Sequence, residues 1–224
     1  MTFASAKEAI NHIKRAMEVS DAYLHKGTPS PRGLPAELFS LKGLSSPACR
    51  IFFNEICNKA EARYLEVGTY TGSSIISACW KNPLRRAVGI VDWSMDKSAK
   101  PKLESNIQFF KDDLMFGRYA PEFIEAEAFS MDKTKLGQFD IYFYDGHHSA
   151  DSQEKGLTCF WDNLAPVSIV IVDDYSVMRV QQGTIRAIDK LGCRQHLRYA
   201  WTLSGGESFE HLYWGGLAVM VFEK

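Results

Sequence analysis

The chain has 224 residues, 46% hydrophobic and 24% charged, enough for one α/β domain with a sizeable core and too few for two of ordinary size. Its net charge of -1 supplies no basic footprint, so nucleic acid is not an expected partner. The five cysteines (Cys49, Cys57, Cys79, Cys159, Cys193) are odd in number and contain no C-x-x-C pair, which fits reduced thiols better than a disulfide framework or a zinc site.

The start Met-Thr-Phe-Ala-Ser-Ala-Lys-Glu has no charged segment leading into an apolar run, and no stretch reaches membrane-spanning length. A soluble cytoplasmic protein without a membrane partner is the expectation. Over 6–24 the apolar residues Ala9, Ile10, Ile13, Met17 and Leu24 recur mostly at helical spacing, and Gly27 is a natural stop. A Pro- and Gly-rich loop follows, then a second predicted helix over 48–58. Residues 1–60 therefore read as a helical appendage, whose 34–44 stretch, with Pro and Gly at its edges, could form a lid, and residues 61–224 as the core.

The core begins with Tyr64-Leu-Glu-Val-Gly-Thr-Tyr-Thr-Gly-Ser-Ser74, a predicted buried strand joined to a helix by a glycine turn that opens with a carboxylate. Gly68 and Gly72 allow positive φ and close backbone approach, and Ser73 and Ser74 bring free N–H groups to the helix start. A dinucleotide turn has its glycines in a G-x-G-x-x-G spacing and cradles pyrophosphate. Here Glu66 would repel phosphate and suit a cation. S-adenosylmethionine carries a sulfonium and an ammonium, and its carboxylate could accept from the Ser74 hydroxyl and the helix N–H groups.

Strand-like runs then follow at 87–92, 123–128, 139–144 and 168–172, separated mostly by helix-length segments, which argues a parallel sheet. The last two, 197–203 and 217–222, suit a terminal antiparallel hairpin. Asp92 leaves the second run in Gly89-Ile-Val-Asp-Trp93, where a carboxylate can accept both ribose hydroxyls of a nucleoside. Trp93 either lies on the adenine face or covers the sheet edge. The fourth run enters Tyr144-Asp-Gly-His-His-Ser149 and the fifth ends in Asp173-Asp174-Tyr175, so Asp145, Asp173 and Asp174 are expected at one rim. Crowded like charges call for a cation, and three carboxylates are oxygen ligands for a hard divalent ion such as magnesium.

The 64–74 motif resembles motif I of the class I methyltransferases, and Gly68-Thr-Tyr-Thr-Gly-Ser-Ser74 is especially similar to catechol O-methyltransferase and its relatives. The resemblance covers about residues 62–222. It implies a Rossmann-like α/β fold with a seven-stranded, mostly parallel sheet, helices on both faces and a C-terminal antiparallel hairpin. It also implies that Glu66 and Gly68, with Tyr70 and Gly72 of the same turn, line the methionine end of the cofactor, and that Ser74 binds its carboxylate. Where related enzymes place an acid against the adenine amino group, this chain has Ala128 or Phe129. Catechol-type enzymes hold magnesium with one acid after the fourth strand and an Asp-Asn pair after the fifth, so Asp174 in the Asn position either tightens metal binding or means that one acid is a base and no metal is present.

The implied chemistry is methyl transfer to a hydroxyl of a small molecule, with an acceptor proton to be removed. His148 stands three residues after Asp145, where the catechol-type enzymes carry a lysine base. His147 is the second candidate, and either histidine could instead cap a helix over 150–164. Tyr175, Met178 and Arg179 are candidate substrate contacts. Phe209, His211, Tyr213 and Trp214 could form a lid or a homodimer contact. RNA or protein methylation is an alternative, although the Asn/Asp-Pro-Pro-aromatic loop of amino-group methyltransferases is absent after the fourth run, and a non-catalytic module that binds the nucleoside cofactor is another.

Overall fold

The computed structural model describes residues 2–112, 120–201 and 215–224. The N-terminal part holds α1 (Ala6–Lys26), α2 (Ala36–Ser40) and α3 (Pro47–Ile56). Ser5 caps α1 by accepting from the Glu8 N–H, and Gly27 ends it in the left-handed conformation, its N–H returning to the Tyr23 carbonyl. Ser46 and Pro47 start α3 in the same economical way, with the Ser46 hydroxyl accepting from the Cys49 N–H.

The core alternates β1 (Arg63–Val67), α4 (Ser73–Cys79), β2 (Arg86–Val91), α5 (Ala99–Asp112), β3 (Glu122–Glu125), β4 (Phe139–Tyr144), α6 (Ala150–Thr158), β5 (Leu164–Asp173), α7 (Met178–Leu191), β6 (Arg194–Trp201) and β7 (Leu217–Glu223). The seven strands form one sheet in the order β3-β2-β1-β4-β5-β7-β6, with β7 antiparallel to both neighbours and the other pairs parallel. The expected fold class and the terminal antiparallel pair are both found. The expected helix over 150–164 is shorter: α6 stops at Thr158, and a 3₁₀ turn at Trp161–Asn163 leads into β5.

The central strands are apolar almost throughout because both faces are covered. Tyr64, Ile141, Phe143, Ile169 and Ile171 face a layer that includes Ala9 and Ile13 of α1, Phe52, Phe53 and Ile56 of α3, and Ile75 and Ala78 of α4. Leu65, Val67, Tyr142, Tyr144, Val170 and Val172 face Leu157 of α6 and Val180 and Ala187 of α7. The N-terminal helices thus share the core with the sheet, and the Ser20 hydroxyl ties α1 to α3 by donating to the Ala48 carbonyl at 2.7 Å.

One polar pair locks the sheet centre. Asp140, fully buried on β4, accepts from Arg63 of β1 through the backbone N–H at 3.0 Å, Nε at 2.9 Å and Nη2 at 3.0 Å. Removing the carboxylate strands the guanidinium and a backbone donor together, so Asp140→Ala is expected to lower unfolding stability by about 3 kcal/mol. A urea melt checks this, and an unchanged midpoint and slope would remove the pair from the fold's essential contacts.

Candidate active site

The carboxyl ends of β1, β4 and β5 meet at one rim, and the approach of the first two demands glycine. Gly68 has φ of 99°, and a Cβ there would lie 1.8 Å from the Asp145 carbonyl oxygen. The Gly68 N–H bonds the Ile90 carbonyl and the Asp145 N–H bonds the Val67 carbonyl, each at 2.9 Å, so strand pairing continues into the turn. Gly72, with φ of 87°, precedes α4, and a Cβ there would press on Leu103 of α5 at 2.5 Å. Tyr70 also has positive φ, 46°, and its hydroxyl donates to Asp96 at 3.2 Å.

Glu66 lies at the end of β1 with no exposed surface. Its carboxyl accepts from the Tyr64 hydroxyl at 2.6 Å and from the Ser74 hydroxyl at 2.8 Å. Burial pushes its pKa up to about 8 against the pull of those two donors. The Ser74 hydroxyl, expected to face a ligand carboxylate, is therefore engaged with Glu66, while the Ser73 hydroxyl accepts from Ser45 at 2.8 Å.

Asp92 is exposed just beyond β2, and its Oδ1 accepts from the Ser94 N–H at 2.9 Å and the Ser94 hydroxyl at 2.7 Å. Trp93 turns inward with φ of 59° and packs with Ala99 and Leu103 at the start of α5. Ala128 and Phe129 follow β3 and pack against the sheet layer, Phe129 stacked with Tyr144 at 6.5 Å between ring centres. Glu127 caps that loop by accepting from the Phe129 and Ser130 N–H groups.

The acids expected to gather do so. Asp145 and Asp173 face each other, and burial, together with the negative charge of Asp174, raises the pKa of both. The His148 ring lies among them, Nδ1 at 2.6 Å from Asp174 Oδ2 and Nε2 at 3.8 Å from Asp145 Oδ1. Those carboxylates push the imidazole up to about 9, so at neutral pH it carries a proton on each nitrogen. His147 is exposed, and its Nδ1 accepts from the Ser149 N–H at 3.2 Å. The cap of α6 is supplied by Ser149. Asp174 holds φ of 50° and comes so close to Gly215 that a Cβ there would lie 1.7 Å from its Oδ1.

The three carboxylates have the donor chemistry of a hard-ion site but not its arrangement. Asp174 is turned to His148, and among the described residues no group of three or more His, Cys, Asp and Glu side chains is placed to hold one ion. Tyr175 is buried, whereas Met178 and Arg179 are exposed at the start of α7. Phe209, His211, Tyr213 and Trp214 lie outside the described residues.

Sequence reasoning passed over a residue that ties the N-terminal segment to this rim. Arg50, 3% exposed in α3, donates to the carbonyls of Leu38, Phe39 and Leu41 and to the Ser45 hydroxyl. The Thr71 hydroxyl bonds the Lys42 carbonyl from the turn itself. A lone cation inside the apolar run Ala48-Cys-Arg-Ile-Phe-Phe53 was the available clue.

Residues 65–175, from β1 to just beyond β5, match a family model described as a methyltransferase domain. By sequence alone no curated protein matches the chain. Among solved structures, an O-methyltransferase from Bacillus cereus in complex with SAH has a TM-score of 0.59 at 18% identity, over 95% of this chain and 91% of that one. The O-methyltransferase TomG from Streptomyces achromogenes, involved in tomaymycin synthesis and solved with SAM, has a TM-score of 0.56 at 18% identity, over 95% and 90%. A protein from Pyrococcus horikoshii described as an RNA methyltransferase has a TM-score of 0.55 at 13% identity, over 94% and 98%. No helix among the described residues is long and apolar enough to cross a membrane. With the strand order and the glycine turn at the end of β1, the matched family shows that residues 65–175 carry a methyltransferase domain, in a fold shared with S-adenosylmethionine-dependent O-methyltransferases.

Proposed function

We propose that this enzyme methylates a hydroxyl of a small molecule bound at the rim where β4 and β5 end. The observation that carries the reading is the Asp145–His148–Asp174 cluster, a set of proton-handling groups beside the turn assigned to the methyl donor. The donor's methionine end lies along 68–74, with Glu66 behind it. Its ribose is held by the Asp92 carboxylate, and Ala128 and Phe129 border the adenine. Tyr70 and Trp93 support the turn and the start of α5 that form the walls.

In the transfer, the S–CH3 bond breaks as the O–CH3 bond forms in line with it, and the acceptor hydroxyl gives up its proton. His148 is already an imidazolium, so its part is to orient the acceptor oxygen by donating to it, and the Asp145 carboxylate takes the proton. The raised pKa of Asp145 makes it a stronger base than an ordinary surface carboxylate. His147 faces solvent and has no part in the step. A small acceptor suits an acid-lined rim better than a nucleic acid, whose phosphates it would repel.

Incubation with labelled donor and panels of phenols, sugars and RNA tests the reading: transfer to a hydroxyl compound is expected, and transfer to RNA alone would overturn it. His148→Ala is expected to lower turnover about 100-fold while leaving SAH affinity intact. A wild-type rate in that variant would remove the ring from the reaction, and donor binding without turnover on any acceptor would favour the sensor module.

Magnesium is a second reading, favoured by the crowding of three acids at one rim, where a divalent ion would offset the charge that burial otherwise disfavours on Asp145 and Asp173. Its binding would require Asp174 to turn from His148. Under that reading turnover falls to background after chelation and returns with magnesium. Survival of turnover would leave His148 as the cation among the acids.

Glu66 gives the pH dependence. Its pKa of about 8 in the ligand-free protein means that it is mostly protonated at neutral pH, and a cation brought beside it favours the ionised form. Donor binding therefore releases a proton, and affinity is expected to rise as pH goes from about 6 to about 8, close to tenfold per unit at the steepest. Calorimetry in buffers of different ionisation enthalpy measures the release. A flat affinity with no proton released would separate Glu66 from the cationic end of the donor.

A further inference from the structure

Arg50 is a buried guanidinium whose hydrogen bonds, among the described residues, all go to neutral oxygens. Nη1 donates to the Leu38 carbonyl at 2.7 Å and the Phe39 carbonyl at 2.8 Å, Nη2 to the Leu41 carbonyl at 2.8 Å, and Nε to the Ser45 hydroxyl at 3.1 Å. Taking a cation out of water without an anion is unfavourable, and burial accordingly pulls the Arg50 pKa down. A residue placed only to fill the core would not need that charge. A planar fork with several donors is what it takes to hold three carbonyls and a hydroxyl of one segment at fixed positions.

The held segment lies on the glycine turn. Ser45 passes the contact on by donating to the Ser73 hydroxyl at 2.8 Å, at the first residue of α4. Lys42 accepts from the Thr71 hydroxyl. Gly43 sits so near that a Cβ would lie 2.5 Å from the Ser73 hydroxyl oxygen and 3.3 Å from that of Thr71. The hydrogen bonds of Arg50 reach the turn through Ser45 and the backbone of 38–41.

We propose that Arg50 is a positioning residue for the methyl-donor pocket, fixing residues 38–45 against the 68–74 turn so that this wall exists before the donor arrives. The proposal rests on the reading that the donor's methionine end lies along that turn. A wall built in advance spares the donor the ordering of a loop, so its benefit falls on donor affinity rather than on the chemical step.

The test compares the wild-type enzyme with Arg50→Lys, Arg50→Met and Ser45→Ala, measuring SAH affinity by calorimetry, thermal stability, and the donor KM and kcat with an acceptor. Ser45→Ala, which removes both the bond from Arg50 and the bond to Ser73, is expected to weaken SAH binding by about threefold to tenfold, and Arg50→Met by more than about tenfold. Arg50→Lys should fall between wild type and Arg50→Met, because an ammonium cannot span the same acceptors. Donor KM should rise with these losses while kcat at saturating donor keeps most of its value. A role confined to stability would lower the melting temperature and leave SAH affinity unchanged in the folded protein, and that result overturns the proposal. If Arg50→Met yields no folded protein, Ser45→Ala and Arg50→Lys decide, and wild-type affinity in both overturns it. Failure of the wild-type enzyme to bind SAH would instead remove the methyl-donor reading of the turn.

Discussion

The site depends on how closely β1 and β4 come together at their carboxyl ends. Because Gly68 has no side chain, its α-carbon can stand against the Asp145 carbonyl, and the hydrogen bonds from Gly68 to Ile90 and from Asp145 to Val67 carry the sheet into both turns. A side chain at 68 would have to push the β4 end away, and Asp145 with it. The acid that handles the acceptor proton in the proposed mechanism and the turn assigned to the methyl donor are thus fixed by one contact. The Arg63–Asp140 pair holds the same two strands near their other ends.

Around that contact the charges are unbalanced in a way that suits a cationic ligand. Glu66, Asp145, Asp173 and Asp174 stand against His148, and three of the four acids have pKa values raised by burial. Protons held by acids in such a region are exchangeable for other positive charge. A sulfonium and an ammonium are suitable replacements, whereas a phosphate would meet repulsion from several sides.

Much of this was legible in the sequence because the informative residues occur at strand ends. The acids of Tyr144-Asp145 and Val172-Asp173-Asp174 follow apolar runs whose identity as parallel strands is fixed by their length and flanks, and topology alone then brings them together. What could not be read was which group bonds which. Ser74 faces inward to Glu66, and His148 is charged because two carboxylates reach it from different strands. Strand boundaries also shifted: β5 starts four residues before its predicted run, at Leu164, where it pairs with Phe139, and runs through Pro166 into the predicted segment. Arg50 was missed because its partners are backbone carbonyls, which carry no sequence signature.

The N-terminal helices bear on how such an enzyme admits its donor. A segment free to open would expose the turn and then have to order on binding, at a cost in affinity. Here α1 and α3 contribute to the same apolar layer as β1, β4 and β5, and the 38–45 stretch is held from below by Arg50 and from the side by Thr71 and Ser73. Opening it would break those bonds and leave a guanidinium buried without acceptors, which is far less favourable than moving a loop that lacks such anchors. Under the proposed placement of the donor, its entry is therefore easier from the Asp92 side, where the carboxylate is exposed and its neighbours Ser94 and Met95 lie in solvent.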